Sequence, residues 1–528
     1  MRFHRWAAPL LALASFTCSR PEPDCRFALT IELVEGTPPK SVPGLLRIRN
    51  AQGSVIPVES LLPRGVGLES KHRANDWHVL PGKSTLRLPR EKLTIEAFRG
   101  LDTELSRIEV DGGLVEEAAV RIPLRRFTDE AARGWRGANT HLHLKDIDRA
   151  EADRYLREVP SADGLDVLFV SYLERAEADR TYISNRYSED DLRDLSKQCG
   201  VLLGNGEEHR HNFSGFNEGY GHVMFLDLRK LIRPVSIGRG IMKAGMDAPA
   251  LQRGIDEAKR GGATILWCHN TFGLEDIPNW ITGRPHAQNI FDGDPEAHGS
   301  YRDTFYRYLN AGLRVPFSTG TDWFIYDFSR AYAAVPKLAS PGDWLRALEA
   351  GRTYITNGPL LEFDVDKKGI GETLTLDQPG RVRVTGRAIG RVDFRRLELV
   401  RNGEIVGSAD SHSSGGHFEA SLETVVAIDA PCWLALRIPP PPTKEEPAAE
   451  TPRTELGGPL FAHTSPVYVE VGGRKVFQAD VARGLLDEMR KAQESITTNG
   501  VFADAHERDH VLSVYALAIS ALEKKLAK

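Results

Sequence analysis

The chain has 528 residues, 41% of them apolar and 27% charged, which is ordinary globular usage and excludes wholesale disorder. Its 68 Lys and Arg against 73 Asp and Glu leave a net charge of −5, so the totals carry no basic footprint for nucleic acid. The five cysteines, Cys18, Cys25, Cys199, Cys268 and Cys432, are too scattered for a disulfide framework or a Cys-type zinc site.

Residues 1–25 read as an export signal. Arg2, His4 and Arg5 make a short basic start, and Trp6 to Phe16 is an apolar run too short to span a bilayer. Cys18 offers a site for a lipid tether, although Phe16 and Thr17 are a poor lead-in. This implies an exported protein of the periplasm or cell envelope. No later segment is long and apolar enough to cross a membrane.

Residues 26–130 alternate as strands do and predict an N-terminal β-sandwich. Phe27 to Val34 is one strand; Leu45–Arg49 and Ser54–Val58 flank Ala51-Gln52-Gly53 as a hairpin; Leu93–Ala97 and Ala119–Leu124 follow. Over residues 131–360 apolar strands alternate with charged helical stretches. Val167–Val170, Val201–Leu203, Ile265–Cys268 and Val315–Ser318 are the strands, with helix patterns at Glu189–Gln198, Ala248–Arg260 and Tyr301–Ala311. Such alternation implies parallel strands wrapped by helices, an α/β architecture. Residues 361–478 return to strands, with an Asn402-Gly403 hairpin between Leu397–Val400 and Ile405-Val406. Pro439 to Pro452 has little to bury and reads as a solvated loop. Residues 479–528 carry two helical stripes, Val481, Leu485, Leu486 and Met489, then Val511, Tyr515, Ala518, Ile519 and Leu522, which predict a helical hairpin tail.

The chemistry is concentrated in the central block. His141 and His143 lie two apart on a strand, so both point to one side and can grip one metal ion. Glu207-Glu208 follow Gly206 near a strand end; His222 follows Gly221; His269 ends one strand and Asp322 follows another. These are six potential ligands, imidazole or carboxylate, mostly at the carboxyl ends of strands, where α/β barrels build their sites. A borderline-soft divalent ion takes that mix of N and O donors. Taken singly, His222 and His269 also fit hydrogen-bonded core histidines, and Asp322 fits a helix cap.

The central block resembles the PHP (polymerase and histidinol phosphatase) superfamily of metal-dependent hydrolases, in particular its carbaryl-hydrolase-like (CehA/McbA) branch. The matching pieces are Trp135-Arg136-Gly137…His141-Leu142-His143, Gly206-Glu207-Glu208, Gly221-His222, Cys268-His269-Asn270, Thr319-Gly320-Thr321-Asp322 and Gly351 to Pro359. Trp433 to Arg437 and Ala462 to Val469 are similar to that branch as well. The resemblance implies a distorted (β/α)7 barrel, flanked by the N-terminal and C-terminal β-sandwich-like domains, with a metal cluster at its mouth. By that analogy His141, His143, Glu208 and Asp322 hold one metal, and Glu208 bridges to a second held by His222 and His269. Glu208 is preferred to Glu207 because the family places its glutamate two residues after a glycine. The sequence departs from the family where a third metal is bound: Ser171-Tyr172-Leu173 replaces Thr-Asp-His, Phe324 stands in place of a histidine, and Lys145-Asp146-Ile147 lies near a missing Ser-Asp-Gly. The departures are coherent and imply two divalent metals, zinc, manganese or iron.

Two such ions activate water toward a carbonyl or phosphorus, and ligation needs neutral imidazoles, so activity is expected to fall in mild acid. Asp322 is the candidate general base and Glu208 the bridging catalytic group. His209, His211, Trp323, Phe324 and Arg352 are substrate-binding candidates, Phe324 by making one side of the mouth apolar; Arg186 and Arg330 are further anion holders. His463 reads as structural, packing the C-terminal domain on the barrel. The leading expectation is an exported hydrolase of an ester, carbamate or amide bond in a small molecule. The alternatives are a phosphoesterase on the same barrel and a non-catalytic envelope binding protein with a decayed site.

Overall fold

The structure, a computed structural model, describes residues 26–113, 115–212, 219–238, 245–269, 273–293, 305–441 and 451–528. The export-signal reading of residues 1–25, including Cys18 and Cys25, lies outside them, as do Asn270 and most of the Pro-rich stretch. The described residues form a mixed α/β, multidomain architecture with several sheets.

The first region is two facing sheets. Arg26–Glu35 pairs antiparallel with Ser84–Pro89 and parallel with Glu117–Pro123. The second sheet runs Leu62–Pro63, His78–Leu80, Gly44–Arg49, Lys92–Phe98, Ser106–Asp111. The alternation has its cause in the core: Phe27, Leu29, Ile31 and Leu33 turn inward to meet Leu46, Ile48 and Ile95. The Ala51-Gln52-Gly53 turn forms, with the Asn50 side chain accepting from the Gln52 and Ser54 amides. The expected strand Ser54–Val58 reduces to one bridge at Val55; Pro57 has no N–H to continue the ladder.

The central region supplies the site. Trp135–His143, Val167–Tyr172 and Leu202–Asn212 run parallel, joined by helices Arg149–Ala162 and Glu189–Cys199. The second helix has a Ser188–Asp191 capping box and a left-handed Gly200 at its end, the local signals that start and stop it. Gly221–Leu226 then pairs antiparallel with both Leu202–Asn212 and Thr264–Trp267. From Thr264–Trp267 the sheet continues in parallel through Ala287–Asn289 to Phe317–Ser318. Asp322–Trp323 returns alongside Leu142–His143, so the strand path closes on itself. Segments from several strands can therefore bring side chains to one mouth at this end.

The sheet does not stop at the expected boundary near residue 360. Arg330–Ala334 pairs with Thr353–Thr356, which pairs with Ala462–Thr464. The C-terminal strands thus extend the central sheet, facing a second sheet built on Leu360–Val365, Gly380–Gly390 and His417–Ile428. The Asn402-Gly403 hairpin forms with both residues at positive φ, 51° and 98°, as a tight two-residue turn requires. Helices Ala479–Asn499 and Ala505–Leu526 make the expected tail, and Val511 and Tyr515 seat it against Tyr220, Leu251 and Trp267. No helix among the described residues is long and apolar enough to cross a membrane.

Candidate metal centre

Six ligand candidates converge at the mouth, in two overlapping groups: His141, His143, Glu208 and Asp322, and Glu208, His222 and His269; a third group joins His141 and His269 to the buried Cys268. His141 and His143 are fully buried on the first strand. Their Nε2 atoms lie 2.9 Å apart. Glu208 Oε2 is 3.0 Å from His143 Nε2 and 3.7 Å from His141 Nε2. Asp322 Oδ1 is 3.5 and 3.7 Å from the same two nitrogens. Neighbouring ligand atoms on a tetrahedral zinc, at about 2.0–2.1 Å from the metal, stand about 3.3 Å apart. The first group matches that spacing. The other oxygen of Glu208, Oε1, faces the second group, 3.5 Å from His222 Nδ1 and 3.9 Å from His269 Nε2.

The tautomers are fixed from behind. His143 Nδ1–H donates to the Ser171 carbonyl at 2.9 Å. His141 Nδ1 meets Asp292 Oδ2 at 2.6 Å, and His269 Nδ1 reaches the Asp292 carbonyl at 3.3 Å. With each Nδ1 carrying the proton, the Nε2 atoms of His141 and His143 face each other at 2.9 Å, a contact satisfied by a proton on one of them or by a metal ion held between them. Asp322 Oδ1 is buried and has no hydrogen-bond partner. This donor set fits a divalent ion on its own terms.

Burial opposes the charged form of the shifted groups here; the neighbours outweigh it at His141, His269 and Glu208, and burial prevails at Asp322 and His222. Burial works against protonation of His141 and His269, but Asp292 and Asp322, with Glu208 for His269, outweigh it: His141 is held well above the ordinary imidazole value and His269 rises to about 9. Burial would raise Glu208, yet the surrounding imidazoles hold it well below the usual carboxylate range. Asp322 is raised, chiefly by burial. Burial and the Arg210 guanidinium drive His222 far below its usual value. The chain alone neutralises its carboxylates by charging imidazoles, the work a metal would take over.

Local backbone geometry aims the ligands. His269 and Asp322 both sit at positive φ, 54° and 59°, a costly conformation for residues other than glycine that clusters at functional sites. Gly320 lets the Asp322 segment lie against the first strand, since a Cβ there would come within 2.5 Å of the His141 Cβ.

Glu207 points away from the centre: it accepts from His209 Nδ1 at 2.9 Å and from the Ile232 amide at 2.7 Å. Four substrate candidates are displaced by the structure. His209 and His211 share the outward face with Glu207, because strand side chains alternate and Glu208 points inward. His209 stacks on Phe225 and packs against Gly254; His211 stacks on Tyr220, and burial lowers it to about 3. Phe324 is 2% exposed, wedged between Tyr155 and Gly67, where it packs rather than lines the mouth. Arg352 is exposed beside Ala334, which pairs with Trp135 at the amino end of the first strand, the end opposite to the mouth. Arg330 is buried and donates to the Phe328, Asp163 and Gly164 carbonyls. Trp323 does reach the site: its ring lies 5.2 Å from that of His143, and it lines a cleft of about 710 Å³ with Thr321 and Tyr326. His463 accepts from Tyr306 Oη at 2.7 Å in the junction with the C-terminal sheet.

Two site residues escaped the sequence reading. Asp292, fully buried behind His141, follows the short strand Ala287–Asn289, and that position was its only signal. Arg210 shares the inward face with Glu208 and donates to its Oε1 at 3.4 Å; the two-residue step from Glu208 foretold that face.

No protein-family model matches the chain, and no curated protein matches it. Among solved structures, two of a β-glucuronidase from Parabacteroides merdae are similar at 11% and 10% identity, each covering 81% of this chain and 60% of that one with a TM-score of 0.17. The chain spans about 60% of their length, and a likeness at that TM-score carries no argument.

Proposed function

We propose that the protein is an exported metal-dependent hydrolase, on a PHP-like barrel of the carbaryl-hydrolase-like (CehA/McbA) type, that cleaves an ester, carbamate or amide bond in a small molecule. The observation that carries this reading is the divided carboxylate of Glu208, one oxygen toward His141 and His143 and the other toward His222 and His269. His141, His143, Glu208 and Asp322 would hold one divalent ion, and Glu208, His222 and His269 a second; the N and O donors suit zinc, manganese or iron. When bound, such a pair supplies a water of lowered pKa and a Lewis acid for the developing oxyanion.

The chain's own groups do the rest. Asp292 and the Ser171 carbonyl hold the His141 and His143 rings in the ligating tautomer. Asp322 is raised by burial; with Oδ1 turned toward the His141 and His143 nitrogens, its second carboxylate oxygen is the one left to take a proton at the mouth. Trp323 offers an apolar face beside His143 for the substrate body.

A second reading, a phosphoesterase, is favoured by one observation: the Arg210 guanidinium lies beside Glu208 and could meet a phosphoryl oxygen. The experiment is metal analysis of the wild type and His141→Ala, followed by turnover of aryl esters against phosphate monoesters. About two metals per chain, with ester cleavage lost in the variant, is the expected result. Preferential phosphate release would establish the second reading, and metal-free, inert wild-type protein would point to a binding protein.

A further inference from the structure

The cleft beside Trp323 is made by three parts of the chain. Gly293, Thr321, Trp323 and Tyr326 come from the central region, Leu68 to Arg73 from the N-terminal sandwich, and Arg453 to Pro459 from the C-terminal domain. Its inner wall is apolar, with Trp323, Tyr326, Leu68 and Leu456. Its rim is cationic: Lys71, Arg73 and Arg453 stand against the single carboxylate of Glu69 among the described lining residues. His72 adds no charge near neutrality, because burial and Arg64 lower its pKa. The Lys71–Glu69 pair is 3.3 Å apart but largely in solvent, and so cancels little. This local positive excess opposes the −5 of the whole chain.

The rim is also built rather than loose. Arg453 donates to the Gly457 carbonyl at 2.9 Å, and the turn is closed by the Thr454 amide on the Gly458 carbonyl at 2.8 Å. Asn357 ties the turn to the central region through the Pro459 carbonyl at 2.8 Å. The two flanking loops meet: a Cβ on Gly457 would stand 2.9 Å from Arg73 Cδ. On the other loop the Asn75 side chain donates to the Glu69 carbonyl at 2.8 Å. A fixed cationic rim over an aromatic wall, opening beside Asp322, focuses its field on the molecule that enters.

We propose that this cleft selects substrates whose apolar or aromatic body carries an anionic group remote from the bond that is cleaved. Trp323 and Tyr326 take the body; Arg73, Arg453 and Lys71 take the anion. The inference rests on the hydrolase reading above and gives its substrate a charge.

The test pairs 4-acetoxybenzoate with its methyl ester, read by acetate release: both give the same acetyl group to water and expel a phenolate, and each kcat/KM is divided by that ester's own hydroxide-catalysed rate so that the remaining difference reports the charge. In the wild type kcat/KM favours the charged ester. In Arg73→Glu/Arg453→Glu that preference falls by about tenfold or more, through KM. Lys71→Glu, at a largely solvated position that folding does not need, shifts the preference the same way by less. Calorimetry with benzenesulfonate, an uncleaved anion and a poor metal ligand, reads the subsite without turnover: it binds the wild type and not the double variant. Cleavage of both esters with no charge preference, and no effect of either variant, overturns the anion subsite and leaves the hydrolase standing. Variant-sensitive sulfonate binding without cleavage of either ester leaves the subsite standing and overturns the hydrolase.

Discussion

The two ends of the central strand ring bury carboxylates in opposite ways. At the amino end, around a cavity of about 860 Å³, four of the five lining acids meet a guanidinium: Arg126 bridges Glu35 and Asp102, Arg133 pairs with Glu130, and Arg136 approaches Asp166 at 3.5 Å, while Asp129 accepts from the Ala132 amide. At the carboxyl end Glu208, Asp292 and Asp322 face four imidazoles, and Arg210 is the one guanidinium that donates to any of them among the described residues. The larger hole is thus the one whose acids are mostly paired with guanidinium groups. A guanidinium keeps its proton and closes an ion pair for good, whereas an imidazole can give its proton up and offer a lone pair. What marks the site is a charge balance that can be exchanged for a metal.

Glu208→Gln should separate the two ends most sharply. It removes the group shared by both ligand sets, so metal content by elemental analysis falls toward zero and ester turnover with it, while the amino end is untouched. Arg64→Ala acts between them. Arg64 pairs with Asp163 at 2.6 Å, fully buried, and donates to the Ile325 and Asp327 carbonyls just beyond Asp322. Stranding Asp163 should cost about 3–5 kcal/mol in urea unfolding. An undiminished midpoint would mean that the N-terminal domain does not brace the ligand segment. Asp292→Asn keeps the ligands and weakens their support; metal affinity in a competition titration should drop about 10–100-fold, with stoichiometry restored at high metal.

The smallest effect lies away from both ends. Asp276 is buried, accepts from Tyr308 Oη at 2.5 Å and has an oxygen without a hydrogen-bond partner. Burial raises it from 3.8 to about 7. The folded chain therefore holds a proton that the unfolded chain has released, so this contribution to stability is full below pH 3.8 and is lost as pH rises to about 7. Asp276→Asn should make the fall of unfolding free energy over that window shallower, and an unchanged slope would show that the carboxyl is ionised in the fold.

Much of the site was legible because it depends on local periods. His141 and His143 share a face by the strand repeat, and Glu208 follows its glycine; both the alternation and the positive-φ hairpin at Asn402-Gly403 are properties of neighbouring residues. The same alternation sends His209 and His211 outward once Glu208 points in, a choice that chain position alone leaves open. Phe324 shows a different limit. Three residues in a row, Asp322, Trp323 and Phe324, go to a ligand set, a cleft wall and a buried packing contact, and only the backbone at positive φ and the hole left by Gly67 sort them.

The sequence by itself determined the sandwich, the α/β alternation, the helical tail and the types of the candidate ligand residues, because hydrophobic period and donor chemistry are carried by each short segment. Tertiary structure decided that Asp292 stands behind His141, that the central sheet runs on into the C-terminal strands, and that loops hundreds of residues apart roof one cleft. Those facts are distances between remote parts of the chain, and they exist only once the ring of strands has closed.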